Sequence, residues 1–555
     1  MRYRKNVQFN FVSSEMLLSR KGEEIPVRPY TTQKIGLAAV IMMVSVFFSR
    51  VIGLVREMVI AYIGGAGSAV DAYQVAFVIP EILNHIVASG FLSVTFIPIF
   101  SRYLSLDQEE EGWRVFSIIF TGFGTLLFLG ILLAMAFAPT IVSIIAPGLG
   151  DPSVKAQAVR MTRIILPAQL FFFTGGLLMA VQFAKGHFTF PAFAPLLYNI
   201  GIILGGGFLG GRIGMEGFSW GVLAGAFLGN FVLQLWGALR VGMRFTLNLY
   251  FQHPDLKRYV VLTLPLMVGL TMTFSTEIFF KLFGSYLPSG SISGLNYGFR
   301  VMLILVGVFG QAVGVASFPF MARLAAEGQL EEMNRLMDRT LRHLSLVIPV
   351  SVLGMVLRKE IVILLFQRGR FDEAAVEITS QALLYLLAGT FAFAAQTIVV
   401  RAYYAVQNTL FPALFGSLAV VLSLPLYWLG MHFMGGRGVA LAVSVSAILQ
   451  VSLLYRVWNA RRSNQEYRRV YRAYARMVGL GLALGLIFEW LKRYGLPPIS
   501  ALPWIQSAWT CAVIGVAFLC LLYLIGRLFR IPEIEAFAAA KESKPKKGGS
   551  IEKLL

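Results

Sequence analysis

Residues 35–71 read IGLAAVIMMVSVFFSRVIGLVREMVIAYIGGAGSAVD. The first part, 35–62, is an apolar run long enough to cross a bilayer, for which a helix needs about 20 residues. The connection that follows, Ile63 to Asp71, contains no Lys or Arg. Inside the run lie Arg50, Arg56 and Glu57. An arginine at the centre of a membrane helix costs about 2.5–3.5 kcal/mol on the insertion scale, so such residues face a wet cavity or a partner. In an ideal helix Arg50 and Arg56 stand about 120° apart around the axis. Both can face one cavity if it is wide or if the helix bends, and Gly53 between them lowers the cost of a bend.

The same pattern continues along the chain. About fourteen apolar segments can be drawn, near 35–62, 72–102, 114–146, 157–185, 189–213, 216–240, 258–287, 291–323, 338–366, 375–405, 409–434, 436–459, 473–494 and 502–529. The whole chain of 555 residues is 57% hydrophobic and only 14% charged, against about 25% in soluble domains. A soluble enzyme, a nucleic-acid-binding protein and a disordered scaffold are excluded. The net charge of +20 does not mark a nucleic-acid partner, because the basic residues cluster between apolar runs. Cys511 and Cys520 lie nine apart in one apolar segment, too far to bridge on a helix. The first 30 residues hold Arg2, Arg4, Lys5, Arg20 and Lys21 without an apolar core, unlike a signal peptide.

Loop charges set the orientation. The connections 63–71 and 288–290 lack Lys and Arg, whereas alternate ones carry Arg240, Arg244, Lys257 and Arg258, or Arg461, Arg462, Arg468, Arg469, Arg472 and Arg476. An even number of spans puts both basic ends on one side, the cytosol. A shift of 221 residues superposes Pro98 on Pro319, Arg102 on Arg323, Gly148 on Gly369, and Phe190-Pro191-Ala192 on Phe411-Pro412-Ala413. Six spans separate the copies, so they share one orientation, a parallel repeat about the membrane normal. The expected fold is therefore an all-α integral membrane protein of about fourteen transmembrane helices. Two six-helix lobes (35–240 and 258–459) surround a central cavity, and two further helices follow (473–529). A basic cytosolic extension (1–34) and tail (530–555) complete the chain.

Further polar residues fall within these spans. Asp71 opens the second, as a helix N-cap or a gate, and His85 lies near its middle, either a neutral core residue or part of an anion site. Arg300 lies roughly 13 Å in from the start of the eighth span and Arg56 roughly 9 Å from the end of the first, at 1.5 Å per residue. Arginines from both lobes at matched depth suggest a cationic cavity suited to phosphate, which the planar guanidinium grips with a fork of donors. Glu277 and Lys281, four apart, are expected to neutralise each other on one helix face. The pattern Gly205-x-Gly207-x-x-Gly210 follows no strand and is expected to be a helix-packing surface rather than a nucleotide fingerprint. No P-loop or metal-ligand spacing is present, and no cofactor is expected.

Ser49-Arg50-Val51-Ile52-Gly53-Leu54-Val55-Arg56-Glu57, Gly65-Ala66-Gly67, Asp71-Ala72-Tyr73, Ala76-Phe77, Pro80 and Phe96-Ile97-Pro98 resemble the first two spans of the MurJ (MviN) family. These are lipid II flippases of the MOP exporter superfamily. Ser289-Gly290-Ser291-Ile292-Ser293 with Tyr297 and Arg300, Asn334 to Asp338, and Leu365 to Phe371 extend the resemblance. It implies a flippase of the bacterial inner membrane that turns an undecaprenyl-diphosphate-linked disaccharide-pentapeptide outward by alternating access, without covalent chemistry. It also implies that Arg50, Arg56 and Arg300 hold the diphosphate. The partners implied are lipid II and membrane lipids, for a monomer; coupling to the membrane potential or to a monovalent cation stays open, and no site for such a cation is identified. The chain departs from the family at His85, usually arginine, at Ser89, usually an acid, and at Phe280, an acid in some members; 409–434 contains no Asp or Glu. The alternatives are a flippase for another polyprenyl-linked glycan and a MATE-like antiporter, which would need a compact acidic site.

Overall fold

The computed structural model describes residues 32–535 except 88–90, 248–249, 251–252, 258, 262–274, 409, 463, 465 and 496–501. The side chains of 32–40, 83–87, 91–94, 275 and 410 also lie outside the description. Among the described residues every regular element is a helix. In the first half these are α1 (Thr32–Gly64), α2 (Ser68–Ala76), α3 (Val78–Val87), α4 (Phe91–Ser105), α5 (Glu109–Ala136) and α6 (Ala138–Ile145). They continue as α7 (Pro152–Ile165), α8 (Ala168–Ala184), α9 (Thr189–Ile213), α10 (Glu216–Ala226) and α11 (Leu233–Arg240). The second half holds α12 (Ser275–Gly284), α13 (Ser291–Leu305), α14 (Ala312–Ala326), α15 (Leu330–Leu344), α16 (Val347–Val356) and α17 (Arg358–Phe366). It ends with α18 (Glu373–Leu387), α19 (Thr390–Ala405), α20 (Leu410–Met434) and α21 (Gly436–Arg462), followed by α22 (Tyr467–Tyr494) and α23 (Pro503–Leu528). Single π turns, Phe227–Val232 and Val306–Gln311, join α10 to α11 and α13 to α14.

Ten of the described helices or helix pairs are long and apolar enough to cross a membrane, or eleven with α18 and α19, which meet at 46°. The three other expected segments are α1, the α2–α4 stretch, and 258–287, of which 262–274 lie outside the description. Prolines explain where expected spans break. Pro80 cannot donate and crowds the carbonyl four residues back, and the chain breaks at Phe77, between α2 and α3. Pro167 lies within the break that separates α7 from α8, and Pro349 follows the one that separates α15 from α16.

The 221-residue offset recurs in the backbone itself. α9 and α20 both have 25 residues and coincide end for end under the shift. Asp151, whose side chain caps α7, falls on Asp372, which caps α18. The positive-φ residues Asp107, Gly186 and Gly214 fall on Gly328, Gln407 and Gly435, which are also at positive φ.

One buried core draws on residues between Ile79 and Tyr259, another on residues between Met321 and Val470. A third takes residues from both halves, from Ile60 to Val443, and seals one end of the bundle. This seam end holds the loops 65–67, 146–151, 285–290 and 367–372. There the two backbones touch: Gly65 and Gly369 both have positive φ, and a Cβ on either would lie 2.5 Å or less from Arg370 O or Tyr62 O respectively. Only glycine permits both the conformation and the approach.

Candidate substrate cavity

A cavity of about 340 Å³ lies between the halves, beneath the seam. α1 supplies Arg56 and Glu57, α2 Tyr73 and Gln74, and α3 Glu81; α8 supplies Gln169, α9 Tyr198, α12 Glu277 and α13 Arg300. Arg56 lies eight residues before the end of α1 and Arg300 nine after the start of α13, so both sit about 12–14 Å in from the seam. The structure thus brings the two arginines to one space from opposite halves.

Neither arginine is alone. Arg56 pairs with Glu57 at 2.6 Å and donates to Asn199 at 3.0 Å. Arg300 donates to both oxygens of Glu277, at 3.2 and 3.5 Å. Lys281 does not pair with Glu277, as their spacing suggested, but with Glu81 of the other half at 3.1 Å. The lining is therefore not purely cationic: it combines two arginines with Glu57, Glu81 and Glu277. Three atoms of lining residues, Glu57 Oε2, Gln169 Oε1 and Arg300 Nε, are buried without a hydrogen-bond partner in the protein. Such atoms normally meet water or a ligand, because an unpaired buried polar group costs about 1–3 kcal/mol.

The remaining expected site residues fall elsewhere. Arg50 is exposed and hydrogen-bonds Gln311 of the second half rather than lining this cavity. Arg401 approaches the backbone carbonyl of the same Gln311 at 3.5 Å. α1 runs unbroken through Gly53, which provides no break between the arginines; a Cβ there would lie 4.0 Å from Asn199 Oδ1. His85 lies in α3, but its side chain is outside the described residues, and so is Ser89. Asp71 is not the cap of its own helix, where Gly67 holds that position. Its carboxylate accepts the Gly290 and Ser293 amides at 2.7 Å each, capping α13 across the seam. The Tyr297 hydroxyl donates to Gly65 O at 3.0 Å, the Arg370 amide to Tyr62 O at 2.9 Å, and the Gly148 amide to Ser285 Oγ at 3.1 Å. Hydrogen bonds thus tie the halves at this end.

Glu57 was noted in the sequence without a role, and Glu81 and Asn199 were not singled out there. Glu81 carried the signal that found the arginines, an ionisable residue inside an apolar segment. Asn199 gave no such signal, since a neutral amide in a long apolar helix is unremarkable by composition.

A family model described as lipid II flippase MurJ matches residues 60–500. The lipid II flippase MurJ of Burkholderia cenocepacia is 27% identical over 450 residues, covering 80% of this chain and 87% of that protein. Among solved structures, a lipid II flippase MurJ in an inward closed conformation superposes with a TM-score of 0.72 at 21% identity, covering 87% of this chain and 99% of the other. An inward-facing multidrug resistance MATE transporter of the MOP superfamily superposes with a TM-score of 0.62 at 13% identity, covering 77% and 98%.

Proposed function

The chain belongs to the lipid II flippase MurJ family, and on that premise we propose that it carries lipid II across the bacterial inner membrane, from the cytosolic to the outer leaflet. The observation that supports this most is the placement of Arg56 and Arg300, one from each half, on a single cavity. A diphosphate offers oxygens on two phosphorus centres, and two guanidinium forks facing one space suit it better than a single cation would. The undecaprenyl tail stays in the bilayer while the head enters between the lobes, 35–240 and 258–459. The seam end, taken as the outer side, is closed in this conformation. Rocking the lobes apart at the seam and together at the other end moves the head outward. Arg50, beside Gln311 and nearer the cytosolic end, meets the head before it reaches the cavity. Both termini are cytosolic and the chain works as a monomer.

A cation antiporter would rest on Glu57, Glu81 and Glu277 instead. Each of these carboxylates is already in an ion pair, and among the described residues no group of acids, histidines or cysteines is disposed to hold a metal ion. The test is complementation of a strain depleted of its own flippase, with lipid II exposure on the outer leaflet measured directly. The parent chain should restore exposure. Arg56→Ala and Arg300→Ala should abolish it at normal membrane levels, and Arg→Lys should rescue only in part, because an ammonium lacks the fork. Full exposure with either alanine variant removes that arginine from the site.

A further inference from the structure

Glu277 and Lys281 stand one turn apart on α12, yet each pairs elsewhere. Glu277 holds Arg300 of its own half at 3.2 Å. Lys281, 1% exposed, holds Glu81 of the other half at 3.1 Å, so this pair ties the halves beside the cavity. Glu277 thus occupies the guanidinium fork that a diphosphate would use, and the Arg300 Nε that completes the guanidinium is buried without a partner.

An anion bound to Arg300 must compete with Glu277. A displaced Glu277 is a carboxylate in a poorly solvated site, and an uncompensated charge there is strongly unfavourable. The nearest cation on its own helix is Lys281. Helical residues four apart have Cβ atoms about 5–6 Å apart, and glutamate preceding lysine is the favoured order. We propose that substrate binding drives an exchange of ion pairs: the diphosphate takes Arg300, Glu277 moves to Lys281, and Lys281 releases Glu81. The charge left over falls on Glu81, which is 32% exposed, against 15% for Glu277 and 5% for Glu57. It is the carboxylate that water reaches best. The exchange breaks a tie between the halves only when cargo is present, so the empty protein stays closed at the seam.

This inference rests on the diphosphate reading of the cavity, and one experiment separates the two. The full chain, with Cys511→Ser and Cys520→Ser, carries a single reporter, Gln74→Cys, on the cavity wall. In vesicles of defined orientation an impermeant maleimide is supplied from the seam side, and undecaprenyl diphosphate is the probe. Probe binding is followed separately by thermal shift. With the parent chain the probe should speed labelling several-fold. Glu277→Gln should bind the probe at least as tightly, because its competitor for Arg300 has lost its charge, but labelling should not respond. Lys281→Met should label fast with or without the probe. The double variant Glu81→Gln with Lys281→Met, which leaves neither charge unpaired, should match it. Binding by the parent without a change in labelling overturns the exchange alone, as does a parent-like response from Glu277→Gln or Lys281→Met. Absence of probe binding by the parent overturns the diphosphate reading, and the exchange with it.

Discussion

Asp71 links the two halves with a single carboxylate. It receives two amides at the N-terminus of α13, from the capping residue Gly290 and from Ser293, where unpaired N–H groups and the positive end of the helix dipole favour a negative charge. Hydrogen bonds to charged groups contribute about 1.5–3 kcal/mol, more than neutral ones. Asp71→Ala should therefore weaken the closed seam by about 1–3 kcal/mol, since it orphans two amides. Asp71→Asn, which keeps acceptor capacity without the charge, should fall between. The measurement is labelling of Gln74→Cys from the seam side, faster in the alanine variant, together with a lower unfolding temperature. Labelling at the parent rate would show that the seam does not depend on this residue. At this scale the arginines of the cavity were legible, because a charge inside an apolar run stands out by itself. The pairing was not legible beyond Arg56 and its neighbour Glu57: Arg300 and Glu277 are 23 residues apart, the adjoining pair Lys281 and Glu81 is 200 apart, and no local rule reaches across those distances.

At the level of elements, the glycines of α9 and α10 show how two membrane helices come into contact. A Cβ on Gly201 would lie 2.5 Å from the Cα of Gly225, and one on Gly205 would lie 2.4 Å from that of Gly221. Helix association in lipid relies on close packing, since tails and side chains are equally apolar, and small residues let the backbones approach. Of the glycines in the pattern at 205–210, Gly205 packs on α10 in this way and Gly210 faces Ile63 of α1, whereas Gly207 takes no part in the contact. Gly205→Val should force the helices apart at a cost of about 1–3 kcal/mol, the usual scale of overpacking. Gly207→Ala, where a Cβ meets nothing within 4 Å, should be tolerated. Melting temperatures of the two variants in detergent check the contrast; equal values would mean that the α9–α10 contact does not limit stability. Helix breaks were less legible than helices. Pro80, Pro167 and Pro349 were visible in the sequence, but proline is tolerated in some membrane helices, and Pro195 and Pro425 lie inside unbroken ones.

For the whole molecule, the repeat and the loop charges carry the argument. The shift of 221 residues found in scattered side chains also aligns helix ends, caps and positive-φ residues, including pairs such as Gly186 and Gln407 that share no identity. Backbone geometry outlasts side-chain identity here because a helix end needs a particular φ and ψ, which more than one residue type can supply. Topology remains a prediction from charge. A reporter fused after residue 555 should read cytosolic and one inserted at Gly67 extracytosolic, because Lys and Arg resist translocation in short loops. A C-terminal reporter on the outer side would mean an odd number of crossings.

The sequence by itself determined the class of molecule, the succession of apolar helices, the duplication and the presence of arginines within the membrane. Those follow from composition and spacing, which act locally or repeat along the chain. It also contained the resemblance that named the family. The tertiary structure alone decided which charges meet. It placed Glu57 on Arg56 and Glu277 on Arg300, sent Lys281 to Glu81, turned Arg50 away toward Gln311, and used Asp71 to cap a helix of the opposite half. The physical reason is that an ion pair depends on distance in space. In a bundle that distance is set by which helix faces meet, and two residues one turn apart can each find a better partner on another helix.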